Sequence, residues 1–277
     1  FHLKIVADVA ALYLNMEGHG KGAEHPSALT AAFRAHGLET APDFALFWDF
    51  ASLTQKPRTA DEEALFMPGL RASNIWYGHA KSVCWMQSEL PEGFKFESFV
   101  DDKTGETRTP AQTYHESGWC FVEAAISAAI KPAVQRLDLA LRTEKAMGFL
   151  YGPNERFILD VQLTGVCRRG RPPPPSPEKV KHLLETEKQF TNKSDTGTVA
   201  QIYAAFFGEI VKVESLHFQN IEWGDEEAIE MVEVLPRFPA LTSLDVGRNK
   251  IGPLGARAIG ESLRVNGSLT SASLLGN

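Results

Sequence analysis

Apolar and polar positions change their rhythm several times in the first 170 residues. The opening FHLKIVADVAALYLNMEGHGKG reads as a helix followed by a glycine-rich loop. HPSALTAAFRAHGL (25–38) has helical spacing and ends at Gly37, a residue that readily leaves the helical conformation. FALFWDFASL (44–53) is almost continuously apolar, the pattern of a strand buried on both faces. TADEEALFMPGLRASNIWYGHA (59–80) opens with Thr59 and Glu62 in capping-box spacing and is expected to break at Pro68. KSVCWMQ (81–87) is a second short strand, residues 89–113 a polar loop, and YHESGWCFVEAAISAAIKP (114–132) a further helix. Helices alternating with buried strands predict an α/β layer with a mostly parallel sheet.

Beyond residue 212 the pattern repeats. VESLHFQNIEWG from Val213, LTSLDVGRNKIG from Leu241 and LTSASLLGN from Leu269 start 28 residues apart. In that register Leu216 matches Leu244, Phe218 matches Val246, Gly224 matches Gly252 and Met231 matches Ile259. The middle copy, L-x-x-L-x-V-x-x-N, resembles the leucine-rich repeats of the ribonuclease-inhibitor type, with one strand and one helix per coil. Leu241, Leu244 and Val246 would point into a stacked core, and Asn249 would satisfy backbone groups where the chain turns. The first copy puts Ile221 at the Asn position and the third puts Ala272 at a Leu position.

Between these regions lies RRGRPPPPSPEKV. Pro172 to Pro175 favour an extended conformation, and 171–177 reads as a stiff linker. Two helices within 178–212, from Pro177 to Leu184 and over 195–210, serve as a connector and cap to the first repeat. The expected organisation is an α/β domain over 1–170, the linker, the helical cap, and repeats over 213–277. The chain begins at Phe1 and stops inside the third repeat, so both ends read as internal to a longer protein.

A net charge of −7 argues against nucleic acid, because phosphate contacts need a clustered excess of Lys and Arg. Cys84, Cys120 and Cys167 are too few and too scattered for a disulfide framework or a zinc site, which fits a reducing, cytoplasmic setting. No apolar run reaches the length of a membrane span. GHGKG (18–22) lacks the spacing of a phosphate-binding loop, and the histidines show no paired ligand spacing, so no metal is expected.

Two places carry candidate chemistry. Trp119, Val122, Ile126, Ala129 and Ile130 share one face of their helix, with Glu123 on its flank beside Trp119. A carboxylate so placed is partly desolvated, which raises its pKa and suits an acid or base; a glutamate at the margin of a buried face that reaches water is the alternative. Asp49 and Ser52 fall at the C-terminal end of the expected strand, where open α/β sheets place ligand crevices. Turn chemistry, with short polar side chains satisfying loose backbone groups, is the alternative for both and the ordinary reading for Ser52.

Taken together, LFWDFASLTQ, the acidic helix with Arg58, NIWYGHAKSVCWMQ and YHESGWCFVEAAIS resemble the heterokaryon-incompatibility domain. That family is similar to Toll/interleukin-receptor (TIR) domains, and the arrangement with leucine-rich repeats resembles proteins of algae and other protists. The resemblance implies a TIR-like, flavodoxin-like parallel sheet, self-association of that domain, and signalling or sensing with the repeats binding a protein partner. It also implies an NAD nucleosidase activity as the alternative: Glu123 matches the catalytic glutamate, Trp119 the aromatic residue four positions before it, and Asp49 and Ser52 would assist in binding NAD.

Overall fold

The computed structural model describes residues 2–14, 45–48, 52–54, 57–79, 82–101, 104–142, 163–167 and 170–277. The first region contains α1 (His2–Leu14), α2 (Ala60–Gly78), β1 (Cys84–Met86), β2 (Phe99–Val100), β3 (Thr107–Arg108), α3 (Gly118–Ile130), β4 (Arg136–Asp138) and α4 (Thr164–Cys167). It continues with α5 (Pro177–Thr186), α6 (Asp195–Ile210), β5 (Ser215–His217), α7 (Asp225–Val234), β6 (Ser243–Asp245), α8 (Pro253–Val265) and β7 (Ser271–Ser273). The result is a mixed α/β chain with small parallel sheets.

β1 and β4 pair in parallel, Trp85 opposite Leu137, with α3 in the crossover between them. Among the described residues this sheet has two strands. β2 and β3 form an antiparallel hairpin within the segment expected to be a loop. Of the expected strand 44–53, residues 45–48, 52 and 53 are described, and none of them is in a strand. The helix expected at 25–38 lies outside the described residues.

Pro68 does not end its helix: α2 runs through it from the expected Thr59–Glu62 capping box to Gly78. Pro68 and Ala64, whose carbonyl the proline cannot bond, are both exposed, while Leu70 and Tyr77 further along pack on the core. That packing offsets the roughly 3 kcal/mol a helix-interior proline costs.

The 28-residue register appears directly in the second sheet. β5, β6 and β7 are parallel, with Leu216 opposite Leu244 and Leu244 opposite Ala272. Leu216, Leu241, Leu244 and Val246 are all buried. The turn after each strand has a left-handed residue at the same repeat position, Asn220, Arg248 and Gly276, with φ of 55°, 55° and 81°, and the first copy adds a second at Glu222 with φ of 67°. Only in the third copy does glycine, the residue with least cost there, occupy the shared position.

Asn249 performs the expected backbone task. Its Oδ1 accepts from the Ile221 and Trp223 amides at 2.9 and 3.3 Å, and its Nδ2 donates to the Phe218 and Val246 carbonyls at 2.7 and 2.8 Å. Asn277 repeats this one copy later, accepting from the Ile251 amide at 3.1 Å and donating to the Val246 and Leu274 carbonyls.

One continuous apolar core joins α3, α5, α6 and the repeat region, from Val122 and Ile126 through Tyr203 and Phe206 to Phe218 and Ile259. A smaller core of Val9, Leu137, Leu139, Leu163 and Cys167 lies under α1, β4 and α4. The proline run is packed rather than solvated: Pro173 and Pro174 are buried, and the Tyr203 hydroxyl donates to the Pro175 carbonyl at 2.7 Å.

Candidate functional site

Helix α3 holds two of the four candidate residues. Ser117 caps it, its hydroxyl accepting from the Cys120 amide, and Gly118 at the first turn admits the Phe190 ring where a Cβ would stand 2.1 Å from Phe190 Cζ. The Gln189 backbone bonds on either side of this point, from its amide to the Glu116 carbonyl and from the Gly118 amide to its own carbonyl. The segment after α5 thereby clamps the start of α3.

Trp119 turns toward that clamp. Its indole N–H donates to Asp195 Oδ2 at 3.3 Å, and Asn192 Nδ2 donates to the other carboxylate oxygen at 3.1 Å. Arg108 on β3 completes the chain by donating to Asn192 Oδ1 and pairing with Asp101 at 2.7 Å. In this arrangement Trp119 ties the hairpin and the N-terminus of α6 to α3.

Glu123, one turn on, is half-buried and turned toward different neighbours. Burial and then the Glu123 charge push the Cys84 thiol up to about 11. The Tyr114 hydroxyl is also raised well above its ordinary value, by burial first and then by the charges of Cys120, Glu123 and Cys84. Cys120, Glu123 and Ser127 recur at helical spacing on the side of α3 that meets β1 and β4, and Arg136 on β4 donates to Ser127 Oγ at 3.0 Å. Trp119 and Glu123 are thus neighbours in the helix, the first bonded to Asp195 and the second near enough to Cys84 and Tyr114 for its charge to act on both.

Ser52 is exposed, and its hydroxyl accepts from the Trp48 amide at 3.0 Å, which is the turn chemistry weighed above. Asp49 lies outside the described residues.

Two charged residues unremarked in the sequence hold this region together. Lys131, just past α3, is fully buried, and its ammonium donates to the His79 carbonyl, the Ser82 carbonyl at 2.6 Å and Ser82 Oγ at 2.7 Å. Burial lowers it to about 8. Arg171, at the head of the proline run, donates to the Ala128 and Ala129 carbonyls of α3 at 2.8 and 3.1 Å and to the His217 carbonyl of β5 at 2.8 Å. Its guanidinium lies over the Phe218 ring, and its carbonyl accepts from the Trp223 indole at 2.6 Å. Burial, and the Arg136 charge after it, lower it to about 10. Helix-terminal carbonyls are a natural seat for a cation, but neither Lys131 nor Arg171 stands in a pattern that sequence spacing could reveal.

A groove of ≈ 760 Å³ lies over the exposed face of β5, β6 and β7. Ser215, His217, Asp245 and Ser273 form its floor, Arg171 and Arg248 its charged edge, and Ile130, Pro132, Ala133 and Val134 an apolar wall. Leu275 stands on the rim, 77% exposed. Glu123, Trp119 and Ser52 do not line it.

Among the described residues no helix is long and apolar enough to cross a membrane, and no group of three or more His, Cys, Asp or Glu is placed to hold a metal ion. Comparison with protein-family models, curated proteins and solved structures finds no match to this chain.

Proposed function

We propose that the chain is a cytoplasmic signalling or sensing protein, in which a leucine-rich-repeat solenoid over 213–277 binds a protein partner and a TIR-like, heterokaryon-incompatibility-like domain over 1–170 transmits or assembles the signal. The observation that supports it most is the open face of β5–β7, polar along its floor and apolar along one wall, in register with a 28-residue sequence repeat. Repeat folds present such surfaces to partners because stacking leaves one face of the sheet uncovered.

The test is partner capture with matched variants. Ser215→Arg with Ser243→Arg crowds the strand face, whereas Arg257→Glu with Glu261→Arg alters exposed positions on α8. The first pair should abolish recovery of specific partners and the second should leave it intact. Recovery unaffected by the strand-face pair would remove the proposal.

A second reading is NAD cleavage, with Glu123 as the catalytic carboxylate. Its support is the half-buried position of Glu123 beside the Tyr114 hydroxyl and the Cys84 thiol, together with the Trp-x-x-x-Glu resemblance. Nicotinamide release by the purified chain that Glu123→Gln abolishes would establish it. A folded chain without turnover, alone or clustered by its partner, leaves Glu123 a structural residue.

A further inference from the structure

Resting on the reading of the strand face as a partner surface, we propose that the groove over β5–β7 takes an extended acidic peptide segment of the partner, anchored by one apolar side chain. Charge carries the first part. The chain as a whole is acidic at −7, and α7 on the other side of the repeats bears Asp225, Glu226, Glu227, Glu230 and Glu233. The groove departs from this balance, with two guanidiniums, Arg171 and Arg248, against one carboxylate, Asp245.

That carboxylate is already engaged, since Asp245 Oδ1 accepts from the Gly247 amide at 2.9 Å. The Arg171 guanidinium is held by three backbone carbonyls, which bond it without neutralising its charge. Arg248 is exposed and has no ion-pair partner among the described residues. A carboxylate entering here meets a fixed cation behind and a mobile one beside it, in a recess where both are less screened than on open surface.

The apolar wall carries the second part. Val134 is 51% exposed, and Ile130, Pro132 and Ala133 continue its surface into the groove. Three strands at the usual spacing of about 4.8 Å set β5 and β7 about 10 Å apart, which three extended residues span. Arg171 lies on the wall's side of the groove beside β5, and Arg248 follows β6 one strand further out, so an apolar anchor with carboxylates from two residues beyond it reaches from the wall past Arg171 to Arg248.

The experiment uses the full chain and two pools of end-blocked nine-residue peptides on a Ser/Thr/Gly background. Each peptide carries Leu, Ile or Phe at position 3. One pool has Asp or Glu at positions 5 to 8, and the other has Lys there. Fluorescence anisotropy should show the acidic pool binding at least about tenfold more tightly. Arg248→Glu should reverse that preference, and Val134→Asp should weaken both pools, with circular dichroism confirming that each variant remains folded. Absence of binding by either pool, equal binding of the two, or a preference that survives Arg248→Glu overturns the acidic-peptide assignment. The broader partner reading falls separately, by partner capture that ignores the strand-face pair.

Discussion

Replacing Asn249 by Ala should be among the most costly single changes in the repeats, and replacing Asn277 by Ala among the cheapest, although the two occupy the same repeat position. Asn249 is 8% exposed, and the residues whose backbone it serves, Phe218, Ile221 and Trp223, are 0%, 9% and 2% exposed. Truncation strands the Ile221 and Trp223 amides and the Phe218 carbonyl, while the Val246 carbonyl keeps its bond from Asn277. At about 1–3 kcal/mol for each buried polar group left unsatisfied, and allowing for partial relaxation, the loss is about 3–6 kcal/mol. That is a large fraction of the roughly 5–15 kcal/mol by which domains are stable. Asn277 is exposed, so water can replace its side chain at the Ile251 amide and the cost should stay below about 1 kcal/mol. Urea unfolding followed by far-UV circular dichroism and by fluorescence gives both values, provided that the two probes report coincident transitions. A loss below about 1 kcal/mol at Asn249, or equal losses at the two asparagines, would refute the reasoning.

Two further perturbations test the packing around α3. Gly118→Ala places a Cβ within 2.1–2.6 Å of three Phe190 ring atoms, so it should destabilise by about 1–3 kcal/mol although alanine is the better helix former, and Phe190→Leu should recover part of the loss; a stabilising Gly118→Ala would contradict the clamp. Cys84 and Cys167 are each pushed up to about 11, by burial first and then by Glu123 and Asp138 respectively, so their contribution is fully present below the free-thiol value of about 8.5 and is lost as pH rises to about 11. Lys131, lowered to about 8, acts in the opposite sense: its buried ammonium is unfavourable below pH 8 and is relieved as pH climbs toward the free-lysine value of about 10.4. Replacing both cysteines by Ala should flatten the fall in Tm between pH 8.5 and 11, and Lys131→Met should steepen it; unchanged slopes would show that these groups do not titrate as their surroundings imply.

The 28-residue register was legible because a sequence repeat is local arithmetic: one apolar set returning every 28 residues predicts which residues lie opposite one another, and Leu216, Leu244 and Ala272 do so. The site around α3 was only half legible. Helical periodicity places Trp119 and Glu123 beside each other, but their different partners come from segments distant in sequence, Asp195 for one and the Cys84 region for the other. From Ala125 to Ala129 every residue of α3 is buried, so the helix has no single apolar stripe from which to read its orientation. The packing of the proline run was not legible. Proline's missing N–H predicts an extended chain, which says nothing about whether that chain is solvated, and here the Arg171, Tyr203 and Trp223 side chains fasten it to the core.

That fastening gives α3 a position between the two candidate sites. Arg171 bonds the Ala128 and Ala129 carbonyls at one end of α3 and the His217 carbonyl on β5, while itself bordering the groove. Glu123 lies five to six residues back along the same helix, about 8–9 Å at 1.5 Å per residue. Between them Ser127 receives Arg136 from β4, so the helix cannot rotate or slide without breaking buried bonds to Arg136 or Arg171. The groove and the Glu123 cluster therefore border the same helix, which covalent backbone and buried hydrogen bonds to Arg136 and Arg171 hold in place.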